Sequence, residues 1–131
     1  MERFRIMEAV RIMAAGGVVA CPTEAVWGLS CDPGNEEAVM RLLDLKQRPV
    51  DKGLILVAGE EAQLEFLLHD LAPALRSKLR MSWPGANTWL VPHRGRVPEL
   101  VHGRSDRVAV RVCGHPRLRD LCLAFGAPLV S

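Results

Sequence analysis

The sequence lacks several features that would assign it to common functional classes. It has no tyrosine, three tryptophans and three phenylalanines, and no apolar run near the roughly 20 residues of a membrane-spanning helix. It contains neither GxxxxGK[ST] nor GxGxxG, the glycine-rich loops that bind phosphates through backbone N–H groups. We therefore expect no membrane partner and little base stacking, and a nucleotide would have to be held by side-chain cations and strand-end backbone.

The four cysteines have no CxxC spacing, which argues against a zinc site or a disulfide framework. Three of them lie in apolar runs typical of strands or helices, where buried thiols are common, so we expect reduced cytosolic thiols and no metal ligands. The first residues carry acid and lack the apolar stretch of a signal peptide. We expect a cytoplasmic protein.

A chain of 131 residues with 49% hydrophobic content is expected to form one domain, residues 1–131, with a buried core. Its charge is uneven. Residues 1–75 carry seven Lys/Arg and twelve Asp/Glu, a net charge of −5, whereas residues 76–131 carry ten and three, a net charge of +7. This asymmetry indicates an anionic partner on one side of the molecule, or else ordinary solvated charge on helices and loops.

Apolar periodicity predicts alternating helices and strands. The predicted helices cover 2–15, 36–45 after an Asn35 cap, 60–68, 73–81 and 116–125, and the predicted strands cover 18–21, 54–58, 88–91, 108–112 and 129–131. Residues 94–106 are predicted to be irregular. Continuous apolar strands between helices are typical of a sheet covered on both faces, and the irregular order predicts a mixed sheet in an α/β fold.

The most informative polar motif follows the first predicted strand. The apolar run 17–21 stops at Pro22, and Thr23 and Glu24 then supply a hydroxyl and a carboxylate. Groups at the end of a strand can bind a ligand, but a threonine there can also simply complete a turn.

A second motif, Lys46-Gln47-Arg48-Pro49, places two cations at the end of a predicted helix. They could complement the helix dipole. Because Pro49 restricts Arg48 to extended backbone, the helix must end there, and the two cations could instead converge on one anion.

Three further features allow two interpretations each. Arg111 lies in an apolar strand, where an arginine needs either a structural ion pair or the carboxylate of a ligand. The segment 83–85, Trp-Pro-Gly, could be a core-packing turn or a wall of a site. His115 precedes a proline and is more typical of a helix start than of a catalytic base.

Together these motifs resemble the YrdC/TsaC family, the threonylcarbamoyl-AMP synthases. Five blocks of that family recur in the family's order. They are Pro22-Thr23-Glu24 with Gly28-Leu29; Lys46-x-Arg48-Pro49 with 54–57; Trp83-Pro84-Gly85 with Thr88; 108–111 with His115-Pro116; and 128–131. Trp27 stands where the family usually has tyrosine or phenylalanine, and Ala86 and Asn87 alter the third block. The chain stops where the family continues into a Ser-Ala-Asn segment, so we expect a single YrdC-like domain without the family's C-terminal portion.

The resemblance implies a twisted open mixed sheet with helices on both faces, enclosing a basic cavity. It also implies an enzyme that combines L-threonine, bicarbonate and ATP, with Mg²⁺, into L-threonylcarbamoyl-AMP and pyrophosphate. A partner threonylcarbamoyl transferase then modifies tRNA. By matching position, Lys46 and Arg48 are implied to hold the ATP phosphates, and the backbone near Val50 and Arg107 to line the ATP.

Thr23, Arg111 and Ser131 are implied to hold threonine. No residue is assigned as a catalytic acid, base or nucleophile. Two alternatives stay open: a non-catalytic module that binds tRNA or double-stranded RNA through the basic cavity, and an incomplete form of the enzyme that folds but is inactive.

Overall fold

A computed structural model describes residues 3–22 and 27–131. Over these residues the helices are α1 Arg3–Ala14, α2 Glu36–Leu45, α3 Glu65–Leu68, α4 Pro73–Ser82, α5 Glu99–His102 and α6 Pro116–Phe125. Short 3-10 helical turns occupy Val50–Lys52 and Glu61–Leu64. Within the described ranges, no helix has the length and apolar character needed to span a bilayer.

The strands are β1 Val19–Pro22, β2 Trp27–Ser30, β3 Ile55–Ala58, β4 Trp89–Pro92, β5 Arg107–Val112 and β6 Leu129–Val130. A four-stranded sheet has the order β4-β5-β3-β6, in which β3 and β5 are parallel and β4 and β6 are antiparallel to their neighbours. β1 and β2 form an antiparallel hairpin, and one bridge between Cys31 and Val130 joins this hairpin to β6.

Side-chain alternation along the central strand divides the core into two layers. Leu56 and Ala58 of β3 pack into a cluster with α2, α3, α4 and α5, whereas Val57 packs on the opposite face with α1 and α6. Both faces of β3 are thus buried, which explains why its sequence is continuously apolar rather than alternating. The predicted α/β fold with a mixed sheet and helices on both faces is confirmed.

Helix ends follow local chemistry. The Asn35 side chain caps α2 by accepting the Ala38 N–H at 3.0 Å, and Gln47, with φ 51°, turns the chain away after the helix. At α6, His115 Nδ1 accepts the Arg117 N–H at 3.2 Å. The interpretation of His115 as a helix-start residue is therefore confirmed.

Two elements were not predicted from the sequence. Trp27–Ser30 forms β2, because these residues pair with β1 across a hairpin, and Glu99–His102 forms the short helix α5 inside the stretch expected to be irregular. The Val101 carbonyl of that helix accepts the Leu54 N–H at 2.7 Å, so β3 begins one residue later than predicted. The helix predicted over 60–68 is a 3-10 turn followed by one turn of α-helix.

Candidate functional site

One face of β5 carries two arginines and an alanine. Val108, Val110 and Val112 alternate into the core with α2 to α5. Since successive strand residues point to opposite faces, Arg107, Ala109 and Arg111 lie on the other face, the one that α1 and α6 partly cover.

The strand register places Ala109 at the centre of a row that crosses the whole four-stranded sheet. Leu90 of β4 and Ile55 of β3 are its direct cross-strand neighbours. Ser131 continues the row, because its N–H donates to the Ile55 carbonyl at 3.0 Å and its carbonyl accepts the Ile55 N–H at 3.3 Å. We call Leu90, Ala109, Ile55 and Ser131 the middle row.

Burial on this face increases in one direction along the strands. On the Arg111 side of the middle row, Val57 and Leu129 are fully buried and Arg111 itself is only 9% exposed. Within the row Leu90 is 62% exposed, and beyond it Arg107 is exposed. The face is therefore closed at Arg111 and open at Arg107.

The closed end borders the Trp-Pro-Gly turn. The Arg111 guanidinium donates to the Gly85 carbonyl at 3.5 Å, and the Gly85 N–H donates to the Val112 carbonyl at 2.9 Å. Trp83, in the same turn, is half-buried against the core cluster of α2 to α5. The turn thus packs on the core, as one of its two interpretations expected, and its role as a wall of a site stays a prediction.

The two tryptophans near this turn are already engaged. Trp83 Nε1 donates to the Asn87 carbonyl at 2.8 Å, and Trp89 Nε1 donates to Ser82 Oγ at 2.8 Å. Asn87 Nδ2 also donates to the Ser82 carbonyl at 3.0 Å. These hydrogen bonds connect the segment 82–89 to itself and use the N–H groups of both tryptophan rings.

Two cations, Lys46 and Arg48, lie in the loop that follows α2. Lys46 is the backbone C-cap of α2, and its N–H donates to the Leu42 carbonyl. Loss of hydration around the Lys46 ammonium, which neighbouring protein atoms cause although the residue is exposed, lowers its pKa; the positive charge of Arg48 lowers it further, and Cys31 opposes this shift. Neither Lys46 nor Arg48 forms an ion pair with a described residue. Their mutual repulsion would be relieved by a bound anion.

Arg48 also contacts the start of the sheet. Its Nε donates to the Gly53 carbonyl at 2.7 Å, and the β3–β5 register, continued outward, brings Gly53 beside Arg107. Gly53 has φ 72°, and a Cβ there would lie 2.9 Å from the His102 carbonyl, so the position requires glycine. Val50, which is 39% exposed, begins the intervening turn. The structure thus brings Arg48, Val50 and Arg107 to the same end of the sheet.

Thr23 and Glu24 lie outside the described residues, so their predicted roles stay predictions, as does the enclosing basic cavity. The middle row was not singled out from the sequence except for Ser131. Alternation along 107–111 places Ala109 between two arginines, but only the cross-strand register identifies Leu90 and Ile55 as its neighbours.

The cysteines are separate from these polar groups. All four are buried free thiols, and burial raises the pKa of both Cys31 and Cys122 to about 12. The prediction of buried thiols is confirmed, and thiols this basic stay protonated at neutral pH. Among the residues with described placement, no group of three potential His, Cys, Asp or Glu ligands converges as a metal site.

The structure shows an α/β domain with a mixed sheet, two arginines on one face of β5, and two exposed cations in the loop after α2. The model of the Sua5/YciO/YrdC family, described as "Telomere recombination", matches residues 11–131. This chain therefore belongs to the Sua5/YciO/YrdC family.

Two curated relatives bear the name threonylcarbamoyl-AMP synthase. The protein of Saccharophagus degradans is 58% identical over 127 residues, which cover 97% of this chain and 66% of the relative. The protein of Pseudomonas paraeruginosa is 58% identical over 131 residues, covering 100% of this chain and 70% of the relative. The chain thus spans about two thirds of the length of these relatives.

Among solved structures, P. abyssi Sua5 complexed with L-threonine superimposes with a TM-score of 0.90 at 32% sequence identity. The match covers 99% of this chain and 38% of the Sua5 chain. The shared region is thus essentially the whole of the present chain, within a much longer protein.

Proposed function

We propose that this domain forms L-threonylcarbamoyl-AMP and pyrophosphate from L-threonine, bicarbonate and ATP. The observation that carries this proposal is the arrangement of cations along β5 and at the adjoining end of the sheet, with Arg111 at the closed end, Arg107 at the open end, and Arg48 bonded to Gly53, the residue beside Arg107. The names of the curated relatives, and the threonine complex of P. abyssi Sua5, support the same reaction.

The open end is the proposed ATP site. Lys46 and Arg48 are exposed and without ion-pair partners among the described residues, so their charges are available to the triphosphate. The Gly53 carbonyl fixes Arg48 by a 2.7 Å hydrogen bond, which limits the entropy lost when phosphate binds. The exposed positions Val50 and Arg107 line the same end, where a nucleotide can enter from solvent.

The closed end is the proposed threonine site. Arg111 is almost fully buried, where a planar guanidinium can bind a carboxylate in a bidentate and weakly screened geometry. Ser131 lies on the same face, two strands away across β3, and offers a hydroxyl to the amino acid. Thr23 completes this set by its position in the family motif.

The chemistry explains why cations rather than a nucleophilic side chain are needed. The threonine amine forms a bond to the carbon of bicarbonate, the C–O bond to the bicarbonate hydroxyl breaks, and that hydroxyl leaves as water with a proton from the amine. A carbamate oxygen then attacks the α-phosphorus of ATP, and the bond to the leaving pyrophosphate breaks. Two anions must meet, so fixed positive charge lowers their repulsion and stabilises the departing pyrophosphate. Holding both substrates in fixed positions next to the sheet supplies the rest of the rate enhancement, because the reacting groups are already oriented towards each other.

Magnesium fits this scheme as an ion that arrives with the nucleotide. Mg²⁺ commonly keeps several water ligands and binds through substrate phosphates, where it neutralises charge. Lys46 and Arg48 would then share the triphosphate with the ion.

We further propose that the product passes to a partner transferase that modifies tRNA in the cytoplasm. The alternative of a non-catalytic RNA-binding module gains no support from the two tryptophans of the 82–89 turn. Trp83 and Trp89 are half-buried and hydrogen-bonded within the 82–89 turn, so they offer no free platform for stacking on bases.

The deciding experiment measures pyrophosphate release from ATP by the purified chain. Release that requires both L-threonine and bicarbonate is expected, and the adenylate should appear by mass spectrometry. Omitting bicarbonate is the control, because an ordinary ATPase or an aminoacyl-adenylate former does not need it. Binding of tRNA without any threonine-dependent turnover or threonine binding would favour the RNA-binding alternative.

A further inference from the structure

Two backbone hydrogen bonds join the turn that precedes β3 to the end of α5. The Leu54 N–H donates to the Val101 carbonyl at 2.7 Å, and the Arg104 N–H donates to the Asp51 carbonyl at 3.2 Å. The bonded residues of the turn lie on either side of Gly53. The turn and the end of α5 are thus fixed to each other at two points, although they are far apart in sequence.

Gly103, the residue that follows α5, makes this close approach possible. It is buried and has φ 68°, and a Cβ there would lie 2.6 Å from the Asp51 carbonyl oxygen and 2.7 Å from the Gly53 nitrogen. Both of these atoms belong to the backbone of the turn, so they cannot rotate away as the end of a flexible side chain can. Any side chain at position 103 would therefore have to displace the turn.

One peptide group connects this packing to Arg48. The Leu54 N–H and the Gly53 carbonyl belong to the same planar peptide, so the bond from Leu54 to the Val101 carbonyl also fixes the direction of the Gly53 carbonyl. That carbonyl accepts the hydrogen bond from Arg48 Nε at 2.7 Å. The end of α5 thus sets, through one peptide plane, where the Arg48 guanidinium lies.

We infer that Gly103 is a positioning residue for ATP binding, because its lack of a side chain lets α5 hold the Gly53 carbonyl, and with it Arg48, in place for the triphosphate. This inference rests on the proposed function, in which Arg48 binds the phosphates, and adds to it a residue that acts only through Arg48. A guanidinium that is held before the ligand arrives loses less entropy on binding. Threonine binding should not depend on Gly103, because Arg111 contacts a different turn, at Gly85.

The test compares Gly103→Ala with the parent by calorimetric titration of ATP and of L-threonine separately. For Gly103→Ala we expect about fivefold weaker ATP binding, with threonine affinity within about twofold, because the Arg48 charge is moved rather than removed. Gly95→Ala is the matched control. Gly95 also has a positive φ, 72°, but a Cβ there would meet no atom within 4 Å, so this variant carries similar backbone strain without the contact and should bind ATP as the parent does.

A double-mutant cycle separates positioning from a general structural effect. If Gly103 acts through Arg48, Gly103→Ala should cause no further loss of ATP affinity once Arg48→Ala is present. A purely structural role would instead weaken ATP binding by the same factor in both backgrounds.

The outcomes separate the inference from the function on which it rests. If the parent does not bind ATP, the proposed function fails and the inference with it. If the parent binds ATP and Gly103→Ala, with a native melting temperature, binds it equally well, only the inference is wrong. An equal loss in both backgrounds of the cycle, or a parallel loss of threonine binding, would mark Gly103 as structural and also overturn the inference.

If Gly103→Ala does not fold, hydrogen exchange in the parent decides. A ligand that binds the positioned Arg48 must in turn stabilise the contact that positions it. Saturating ATP should therefore slow exchange of the Leu54 and Arg104 amides, which bond the turn to the end of α5. Unchanged exchange of both amides in a parent that binds ATP would overturn the inference and leave the proposed function standing.

Discussion

The two halves of the chain use their cations differently. The basic half, residues 76–131, supplies Arg76, Arg80, Arg94 and Arg96, which form ion pairs with carboxylates of the acidic half, at Glu61, Glu65 and Asp70. The acidic half supplies Lys46 and Arg48, which have no ion-pair partner among the described residues. The net charge of a segment therefore does not indicate which cations are available to a ligand.

The same comparison distinguishes cations that join parts of the fold from cations that are proposed to bind a ligand. Arg76 donates to both Glu61 and Glu65 and so ties the 61–65 segment to α4, while Arg96 ties α5's preceding loop to Asp70. Among the described residues, Lys46 and Arg48 form no ion pair, and the Arg48 side chain donates to the Gly53 carbonyl. Removing a paired cation should affect stability, and removing an unpaired one should affect binding.

The largest expected effect is at Arg111, which is buried like a structural arginine but is proposed to bind a ligand. Arg111→Lys keeps the charge and loses the planar fork. We expect threonine affinity to fall by roughly 2–3 kcal/mol, as for a lost charge-assisted hydrogen bond at a buried site, with the fold retained. Threonine titration together with a melting curve measures both quantities.

Arg119→Lys, the same change at an exposed position on α6, is the control for Arg111→Lys. Normal threonine binding by Arg111→Lys would show that the bidentate carboxylate role is wrong. Unfolding of the variant would instead identify Arg111 as a structural residue.

A smaller effect is expected from each unpaired cation at the open end. Lys46→Ala and Arg48→Ala should each weaken ATP binding by about 1.5 kcal/mol, because each removes one charge-assisted contact that is partly screened by solvent. Threonine affinity should change less, and the melting temperature little. Titration of ATP at two salt concentrations measures the loss and its electrostatic character.

Lys78→Ala removes the same charge from an exposed position of the basic half and should leave ATP affinity unchanged. If Lys46→Ala and Arg48→Ala also match the parent in ATP affinity but lower the melting temperature, their role is to complement the dipole of α2.

The sequence predicted most of the fold because the relevant signals are local. The Asn35 cap, the apolar run of β3 and the proline that begins α6 each act within a few residues. β2 was missed because it becomes a strand by pairing with its neighbour β1 in a hairpin, and α5 was missed because it is stabilised by a partner far along the chain, through the Leu54–Val101 hydrogen bond. Tertiary contacts of this kind have no signature in a short window.

The site was predictable to a similar extent. Family motifs named Lys46, Arg48 and Arg111 as site residues, and these roles stay predictions; the structure adds that Arg111 contacts Gly85 and that Arg48 contacts Gly53. The middle row depends on register across four strands, which periodicity alone does not fix. The ion pairs of Arg76 and Arg96 likewise could be identified only from the folded structure. Because these arginines are paired with carboxylates of the acidic half, the charge asymmetry of the sequence alone did not show which cations are available to a ligand.

The smallest effect concerns the paired region and should appear only in acid. The hydrogen bond from Arg96 lowers the pKa of Asp70 to about 2, and the bond from Arg76 lowers the pKa of Glu65. Carboxyls with depressed folded-state pKa values stabilise the protein fully above their unfolded pKa values, near 4, and lose this contribution as the pH falls through the folded values. The melting temperature should therefore be nearly constant above about pH 5 and should fall between about pH 5 and pH 2.

Asp70→Asn should reduce the steepness of that fall, whereas Asp120→Asn, an exposed position without an ion pair to any described residue, should not. An acid transition of equal steepness in all three proteins would show that the Asp70 ion pairs do not stabilise the fold. Arg94 and Arg96, which form those pairs, could then not be classed as structural cations.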